Sequence, residues 1–215
     1  MHTRREVVKV SLPRLLTDDI DVLVTMPVPK LHMNSGVSLT FKNQWGCISQ
    51  PTDRLRAHPY FSEVVMAVNQ AVKAKYAVID GRFGLDRSGP LRGDPIRLDW
   101  VAVSSSLGAG AVIACELMGV PLQRIEHLRY ARELGLVPDL EEIEFNTEWS
   151  RFAAARPFRL RRHWTDIPGY LAFRSAPIAH LAYFSRWAKP LHRLLYLFRE
   201  PFYDYDEARE RRVQV

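Results

Sequence analysis

The chain has 215 residues, 47% of them hydrophobic and 25% charged, which is the composition of an ordinary soluble globular protein long enough to bury a core. Its two cysteines, Cys47 and Cys115, form no CxxC motif, so we expect no structural zinc site, iron–sulfur cluster or disulfide framework. The first residues, MHTRREVVKV, lack the apolar stretch of a signal peptide, and we therefore expect a cytoplasmic protein.

The net charge of +6 comes from one segment. Residues 151–200 carry ten basic and two acidic side chains, whereas residues 1–150 and 201–215 each carry one more acidic than basic residue. A basic, aromatic segment predicts either peripheral contact with an anionic membrane or helices that pack on the main domain with solvated arginines. Its longest uncharged stretch is too short to cross a bilayer, which takes about 20 residues. Nucleic-acid binding is not expected, because no recognised motif accompanies the charge.

The hydrophobic pattern of the first half predicts strands followed by a helix. We expect strands over 6–12, 21–26 and 35–41 (the last alternatively a loop beside a site), and a helix over 58–74 with Ser62 as its N-cap. The run at 21–26 has little polar alternation, which indicates a strand buried on both faces. Pro27 and Pro29 end it, because proline cannot donate a hydrogen bond to a neighbouring strand.

The second half continues the alternation of strands and helices. We expect strands over 76–81 and 98–106, a turn-rich loop over 82–97, and helices over 109–119 and 123–136. This order predicts an α/β domain over 1–143, with a mainly parallel sheet and flanking helices. Residues 144–215 form a helical, basic C-terminal extension, whose helices should break at Pro168, Pro177 and Pro190.

Two candidate catalytic residues follow the second predicted strand. His32 lies beyond 21–26, where ligands bind in open α/β sheets, and its ordinary pKa of about 6.5 suits proton transfer. Lys42 lies between Phe41 and Trp45, where desolvation would lower its pKa and make it a nucleophile or a phosphate partner. The alternatives are a surface-loop histidine and a lysine whose stem lies on a strand edge.

Further polar residues occupy predicted turns. His58 precedes a proline at the entrance of a helix, where it is either a metal ligand or a simple cap. Asp80 ends a predicted strand, where it would bind a metal or a hydroxyl, or form an ordinary Asp-Gly turn. Arg87 and Arg92 are placed to clamp a carboxylate or phosphate, although solvated loop charges are the common outcome.

The sequence SSSLGAGA predicts a second anion site. A strand, a Gly-x-Gly turn and a helix N-terminus present backbone N–H groups, so Ser106, Gly108 and Gly110 are candidate cofactor-binding residues. Ile113 stands where the third glycine of a dinucleotide motif would be, and the motif is therefore incomplete.

Three motifs, PKLHMNSGVSLTFKNQWG, VIDGRFGLDRSGPLRG and CELMG, resemble the uncharacterised family called domain of unknown function 362 over roughly residues 6–140. The resemblance implies a further α/β segment before Glu6, and its absence predicts a shortened product or one that relies on a partner chain. It also implies two aspartates where this chain has Ser106 and Ala111. The ferredoxin-like module of many relatives is not expected with two isolated cysteines.

The spacing of His32, Lys42 and His58 is similar, more distantly, to that of the nickel-dependent lactate racemase family. That resemblance implies that His32 is the acid/base, Lys42 the tether of a nucleotide cofactor, and His58 a ligand of a divalent metal such as nickel.

Two functions remain open at this point. The first is acid/base chemistry on a small carboxylate or hydroxy acid at a ligand or metal site formed by His32, Lys42, His58 and Asp80. The second is a non-catalytic, degenerate family member that binds a ligand, a partner chain or a membrane surface.

Overall fold

The computed structural model describes residues 7–90 and 92–198, which contain a five-stranded sheet. The strands are β1 (Leu23–Thr25), β2 (Lys30–His32), β3 (Gly36–Ser38), β4 (Ala74–Asp86) and β5 (Asp94–Ser104). The long strand β4 pairs in parallel with β1 and β2 and antiparallel with β5, while β2 and β3 form a short antiparallel hairpin. Helices flank the sheet, which confirms the predicted α/β class.

Eight α-helices lie within the described part of the chain. They are α1 (Thr40–Asn43), α2 (Pro51–Ala57), α3 (Phe61–Val72), α4 (Leu107–Met118), α5 (Glu126–Glu133), α6 (Ile167–Arg174), α7 (Ala176–Ala179) and α8 (Ala188–Tyr196). Pro168, Pro177 and Pro190 lie in the first turns of α6, α7 and α8, so they begin helices instead of breaking them. Proline is compatible with a first turn because its missing N–H has no helical partner there.

Three predicted element boundaries change. Of the strand expected over 6–12, residues 7–12 are described, and in them only Val7 makes an isolated bridge. Residues 39–41 leave the third strand and enter α1. Helix α3 begins at Phe61 with Tyr60 as its N-cap, so Ser62 lies inside the helix and is buried. The predicted end of α4 at Gly119 is confirmed, where the backbone turns left-handed with φ +63°.

The segment predicted as a loop over 82–97 is mostly strand. Val78 lies opposite Val103 and Asp86 opposite Asp94, so β4 and β5 form one long antiparallel hairpin. The connection, residues 87–93, is too short for the crossover that parallel strands need, which takes about a dozen residues. The parallel pairing expected between these two strands is therefore replaced by a hairpin.

The sheet buries one face only. Ala77 and Ile79 of β4 are fully buried on the side of the helices. On the other side Val24 is 43%, Met26 66% and Val101 65% exposed. The prediction that 21–26 is buried on both faces is wrong, because β1 lies at an edge and no described element covers its outer face.

The C-terminal segment packs on the α/β part. Phe158 and Phe173 belong to the same buried cluster as the residues of α3 and α4. The backbone N–H groups of Ala154 and Phe158 donate to the carbonyls of Leu117 and Met118 at the end of α4, at 2.8 and 2.9 Å. The predicted division at 143/144 therefore falls between parts that share a core. No helix in the described ranges is long and apolar enough to cross a membrane.

A glycine substitution tests this packing. A Cβ atom at Gly108 would lie 1.9 Å from the carbonyl oxygen of Leu136, so Gly108→Ala should lower the free energy of unfolding by about 2 kcal/mol or more. Gly169 in α6 has nothing within 4 Å of such an atom, so Gly169→Ala should raise it by up to about 1 kcal/mol. Urea unfolding measures both, and equal stability of the two variants would contradict the packing of α4.

Candidate functional site

A cavity of about 840 Å³ opens where four parts of the chain meet. Its walls are the turn between β2 and β3, the start of α3, the chain around the start of α5, and the C-terminal segment with α6. Two histidines and four arginines are among the lining side chains: His58, His127, Arg124, Arg159, Arg162 and Arg174. This volume is in the range of about 300–1,000 Å³ that small-molecule sites occupy.

His58 forms one wall of the cavity within an aromatic cluster. Its ring stacks on Trp45, with centroids 5.8 Å apart, and contacts Phe173 at 4.9 Å. Phe61 contacts both Trp45 and Phe173, at 4.8 and 5.1 Å. Burial, and after it the charge of Lys42, lowers the pKa of His58 to about 4, so the ring is neutral at neutral pH. Its buried Nδ1 has no hydrogen-bond partner in the described part.

His127 on α5 is the second histidine of the cavity wall. It is 1% exposed, and Phe61 meets its ring edge-on with centroids 5.4 Å apart. Neither ring nitrogen has a hydrogen-bond partner among the described residues. Buried polar atoms are nearly always paired, so this ring is an exception that a ligand would explain. Burial, then the Lys42 charge, lowers the pKa of His127 to about 3.

Lys42 lies in α1, close enough to act electrostatically on all three site histidines. Its ammonium donates to Ser38 Oγ at 2.9 Å. Burial, and after it the neighbouring Lys30, lowers the pKa of Lys42 to about 7. No described carboxylate bonds the amine, so no ion pair offsets this lowering of the pKa. The predicted role of Lys42 as a nucleophile or phosphate partner remains a prediction.

A chain of buried hydrogen bonds fixes the turn that carries Lys42. Asn69 on α3 donates to the carbonyl of Phe41 at 2.9 Å, and its side-chain oxygen accepts from Gln44 at 2.9 Å. Thr25 of β1 donates to Gln44 at 2.9 Å and accepts from Asn43 at 2.8 Å. The turn is thereby tied to both the sheet and α3, which restricts where the Lys42 amine can lie.

His32 is the last residue of β2, a short strand that was not predicted between the strand at 21–26 and the one at 35–41. Its Nδ1 accepts from the backbone N–H groups of Asn34 and Ser35 at 3.2 and 3.4 Å, so a neutral ring carries its proton on Nε2. Burial, then the charge of Lys42, lowers the pKa of His32 to about 2. With Nδ1 occupied by two backbone N–H groups, the neutral ring offers only its Nε2–H as a donor. The lowered pKa does not support the proton transfer that was predicted from the ordinary pKa of histidine.

Four arginines make the cavity electropositive. Arg174 pairs with Glu126 at 3.0 Å, and Arg162 donates to the carbonyl of Met33 at 2.6 Å. The guanidinium groups of both arginines lie on the ring of Tyr170, at 4.8 and 4.4 Å from its centre. Glu63 and Glu126 are the acidic residues of the described lining, against the four arginines.

Asp86 anchors the wall that carries Arg159. This last residue of β4 is 1% exposed, and its Oδ1 accepts from the backbone N–H groups of Arg159 and Arg87 at 2.7 and 2.8 Å. The Arg87 side chain pairs with Asp94 at 3.0 Å across the hairpin turn. Arg87 and Arg92, predicted as an anion clamp, lie outside the cavity lining.

The Ser106 turn also lies outside the cavity lining. Ser106 accepts a hydrogen bond from the N–H of Ala109, 3.3 Å away, and thus caps its own helix. Gly108 fits against the backbone of Leu136, and a Cβ at Gly110 would lie 3.1 Å from Thr40 Cγ2. Packing therefore accounts for both glycines, and their predicted cofactor-binding role remains a prediction.

The predicted metal ligands do not come together. Asp80 lies exposed in the middle of β4, where its carboxylate accepts from the N–H of Arg82 at 3.0 Å, whereas His58 lies in the aromatic cluster. Among the described residues, no group of three His, Cys, Asp or Glu side chains could hold a metal ion. The side chains within residues 7–90 and 92–198 therefore do not fit a nickel site.

Sequence reasoning missed His127 and the four cavity arginines. His127 lies in the helix predicted over 123–136, and its period places it on the same buried face as Leu128 and Ala131. The signal that could have identified His127 is a histidine on the apolar face of a predicted helix, which indicates a buried polar ring. The arginines belong mostly to the basic segment, and only the tertiary fold shows which of them reach the cavity.

The neutral histidine in the core predicts a pH dependence of stability. Since the pKa of His127 is lowered to about 3 in the folded state, the unfolded chain binds more protons below about pH 6.5, and stability should fall as the pH drops from there towards 3. His127→Leu should make the slope of unfolding free energy against pH shallower, by at most about 1.4 kcal/mol per pH unit. The exposed His180, replaced by leucine, is the control. An unchanged slope in His127→Leu would contradict the neutral ring.

Comparisons with known proteins bear on the identity of this fold. A protein of Synechocystis sp. named as thylakoid-associated is 23% identical over 136 residues, which is 59% of this chain and 41% of that protein. The chain thus spans less than half the length of the curated relative it matches. No solved structure matches the chain significantly. The predicted likeness to nickel-dependent lactate racemases is not among these findings.

The family described as domain of unknown function (DUF362) matches residues 3–116, more than half of the chain. The match includes β1 to β5, the Lys42 turn and most of α4. The arginines at 159, 162 and 174 and His127 lie beyond it. The chain belongs to the DUF362 family, and the C-terminal wall of its cavity lies outside the part that the family match covers.

Proposed function

We propose that the cavity binds a small carboxylate or hydroxy acid and that Lys42 exchanges a proton with it. The observation that carries this proposal is a cavity lined by four arginines and by two histidines whose buried ring nitrogens lack partners among the described residues. Lys42 is not itself a lining residue, but it lies within electrostatic range of both histidines. Charged and polar groups converging on one cavity are the usual mark of a ligand site.

The charge of the lining favours an anion. Arg174 is neutralised by Glu126, but the guanidinium of Arg159 has no ion pair among the described residues. Arginine binds carboxylates through paired, charge-assisted hydrogen bonds, which are stronger than neutral ones. A ligand with a second polar group, such as a hydroxyl, would also give His58 Nδ1 or the nitrogens of His127 the partners they lack.

Lys42 supplies the reactive group. With its pKa lowered to about 7, a large fraction of the amine is neutral at neutral pH and accepts a proton, which the ammonium form later returns. The electron pair left on the ligand is stabilised when its carboxylate is held by arginine. The charge of Lys42 acts on His58 and His127, both in the cavity wall, which supports its closeness to a bound ligand.

We also propose that the protein works at the periphery of a membrane. The relative in Synechocystis is named as thylakoid-associated, which is compatible with such a location. The cytoplasmic location remains a prediction from the sequence.

Anion binding is tested at Arg159. Titration calorimetry with L-lactate, L-malate and inorganic phosphate should detect at least one ligand, and Arg159→Ala should weaken it about tenfold or more through loss of a charge-assisted hydrogen bond. Arg97→Ala, which removes an exposed arginine paired with Asp99 on β5, should leave the affinity unchanged. If none of the three anions binds, or if both variants bind alike, the anion site is wrong.

Proton transfer is tested at Lys42. In D₂O, proton NMR should show loss of the C–H signal next to the carboxylate of the bound acid, and Lys42→Met should reduce the exchange rate at least a hundredfold. Lys9→Met changes an exposed lysine on the same protein and should have no effect. Binding without exchange in the unaltered protein would instead favour the non-catalytic alternative.

A further inference from the structure

Helix α8 carries an apolar stripe that faces solvent. Trp187, Leu191, Leu194 and Phe198 recur at helical spacing, and Leu194 is 56% and Phe198 60% exposed. A surface helix of a soluble protein normally turns such a stripe towards the core. Here the stripe has no cover within the described part of the chain.

The opposite side of α8 already has its packing partners. The ring of His192 contacts Tyr183 and Tyr196, with centroids 5.8 and 6.2 Å apart. Arg56 of α2 lies over the ring of Phe184, 5.0 Å from its centre, which ties this end of the chain to the α/β part. The helix is therefore seated on its polar side while its apolar stripe points outwards.

Helix α6 extends the same surface. Trp164, Ile167 and Leu171 lie one helical turn apart, and all three are exposed. The ring of Trp164 meets that of Phe198 with centroids 5.5 Å apart, so the two stripes join. We call these seven residues the apolar surface: Trp164, Ile167, Leu171, Trp187, Leu191, Leu194 and Phe198.

The surrounding charge is of one sign. Residues 151–198 contain eight arginines and one lysine, and their single carboxylate, Asp166, is buried. Arg186, Lys189 and Arg193 border the stripe of α8 and are exposed. An apolar surface with two tryptophans, bordered among the described residues by exposed cations, matches the acyl boundary and headgroups of an anionic bilayer.

We infer that the apolar surface of α6 and α8 docks on an anionic membrane, with its aromatic side chains in the interface and the bordering arginines and lysine on lipid headgroups. This inference rests on the peripheral location proposed above and is independent of the ligand of the cavity. Docking of this kind needs no transmembrane helix, since the helix lies in the plane of the interface.

Nucleic acid and a protein partner fit this surface less well. Nucleic-acid binding needs cations that reach phosphates and gains little from exposed leucines. A protein partner would have to be strongly acidic around an apolar centre. The open sheet face with Val101 and Val103 is apolar too. It is bordered by charges of both signs, because Arg97 and Asp99 form an ion pair beside it. That face serves as the control surface.

Flotation of the full chain with vesicles tests the inference. The protein should float with vesicles of phosphatidylcholine that contain 30% phosphatidylglycerol. With vesicles of pure phosphatidylcholine, at least tenfold less protein should float. The doubly substituted variant Leu194→Glu, Phe198→Glu should lose binding to the anionic vesicles. Val101→Glu with Val103→Glu, which changes equally exposed valines on the sheet, should bind like the unaltered protein.

The outcomes separate the alternatives. A shift of tryptophan fluorescence to shorter wavelength on adding anionic vesicles supports insertion of Trp164 and Trp187. No flotation with either vesicle, binding to a DNA duplex in place of vesicles, or equal loss in both glutamate variants overturns the inference. Circular dichroism and calorimetric titration of the cavity ligand show whether the α8 variant is folded, so a failed membrane test leaves the cavity proposal to its own experiments.

Discussion

A lysine amine buried without a carboxylate partner is the constraint on which the rest of the site depends. Lys42 donates to a serine hydroxyl and lies close to another lysine, so both its desolvation and its neighbour favour the neutral amine. Burial, and after it the charge that Lys42 carries in its ammonium form, lowers the pKa of the nearby histidines and keeps them neutral. The interior of the protein is thus a place where positive charge is unfavourable, next to a rim of fixed guanidinium groups. An anion bound in the cavity would both stabilise the positive charge of the interior and reduce the repulsion among the guanidinium groups.

The cavity and the apolar surface are two separate surfaces of one fold, and α6 contributes to both. The cavity is enclosed by α3, α5 and α6, while the exposed side of α6 belongs to the apolar surface. Phe173 points from α6 into the aromatic cluster, and Leu171, two residues earlier, faces outwards. A helix of eight residues therefore lies between the cavity and the apolar surface, and its position is common to both.

The sequence allowed part of this arrangement to be predicted. Hydrophobic periodicity located β1, β4, β5, α3 and α4, because each of these elements packs its own regular face against the core. The pairing of β4 with β5 was missed because the glycines and prolines of residues 82–97 indicated one long loop. Gly84 and Pro95 lie within the paired strands, and only residues 87–93 form the connection. Local pattern cannot distinguish a glycine in a turn from one that lies under a tryptophan ring, as Gly81 does beneath Trp100.

The same limit of local sequence pattern decides which residues near the cavity could be predicted. His32, Lys42 and His58 were found because they follow a strand end and apolar neighbours, and the structure brings them within electrostatic range of one another. Asp80, chosen by the same rule, lies on the open face of the sheet because β4 continues past the predicted strand end. His127 and Arg159 reach the cavity from distant parts of the chain, and no short-range pattern carries that information.

Asp86 joins residues that are 73 positions apart, since its carboxylate accepts from the backbone of Arg87 and of Arg159. The turn that follows the central strand and one wall of the cavity are therefore held by the same carboxylate oxygen. Local opening of the C-terminal wall would leave a buried carboxylate short of a donor, which makes such opening as unfavourable as disturbing the hairpin itself. The wall and the sheet should in consequence open as one cooperative unit, so that anything that stabilises the wall should also make the β4–β5 hairpin more rigid.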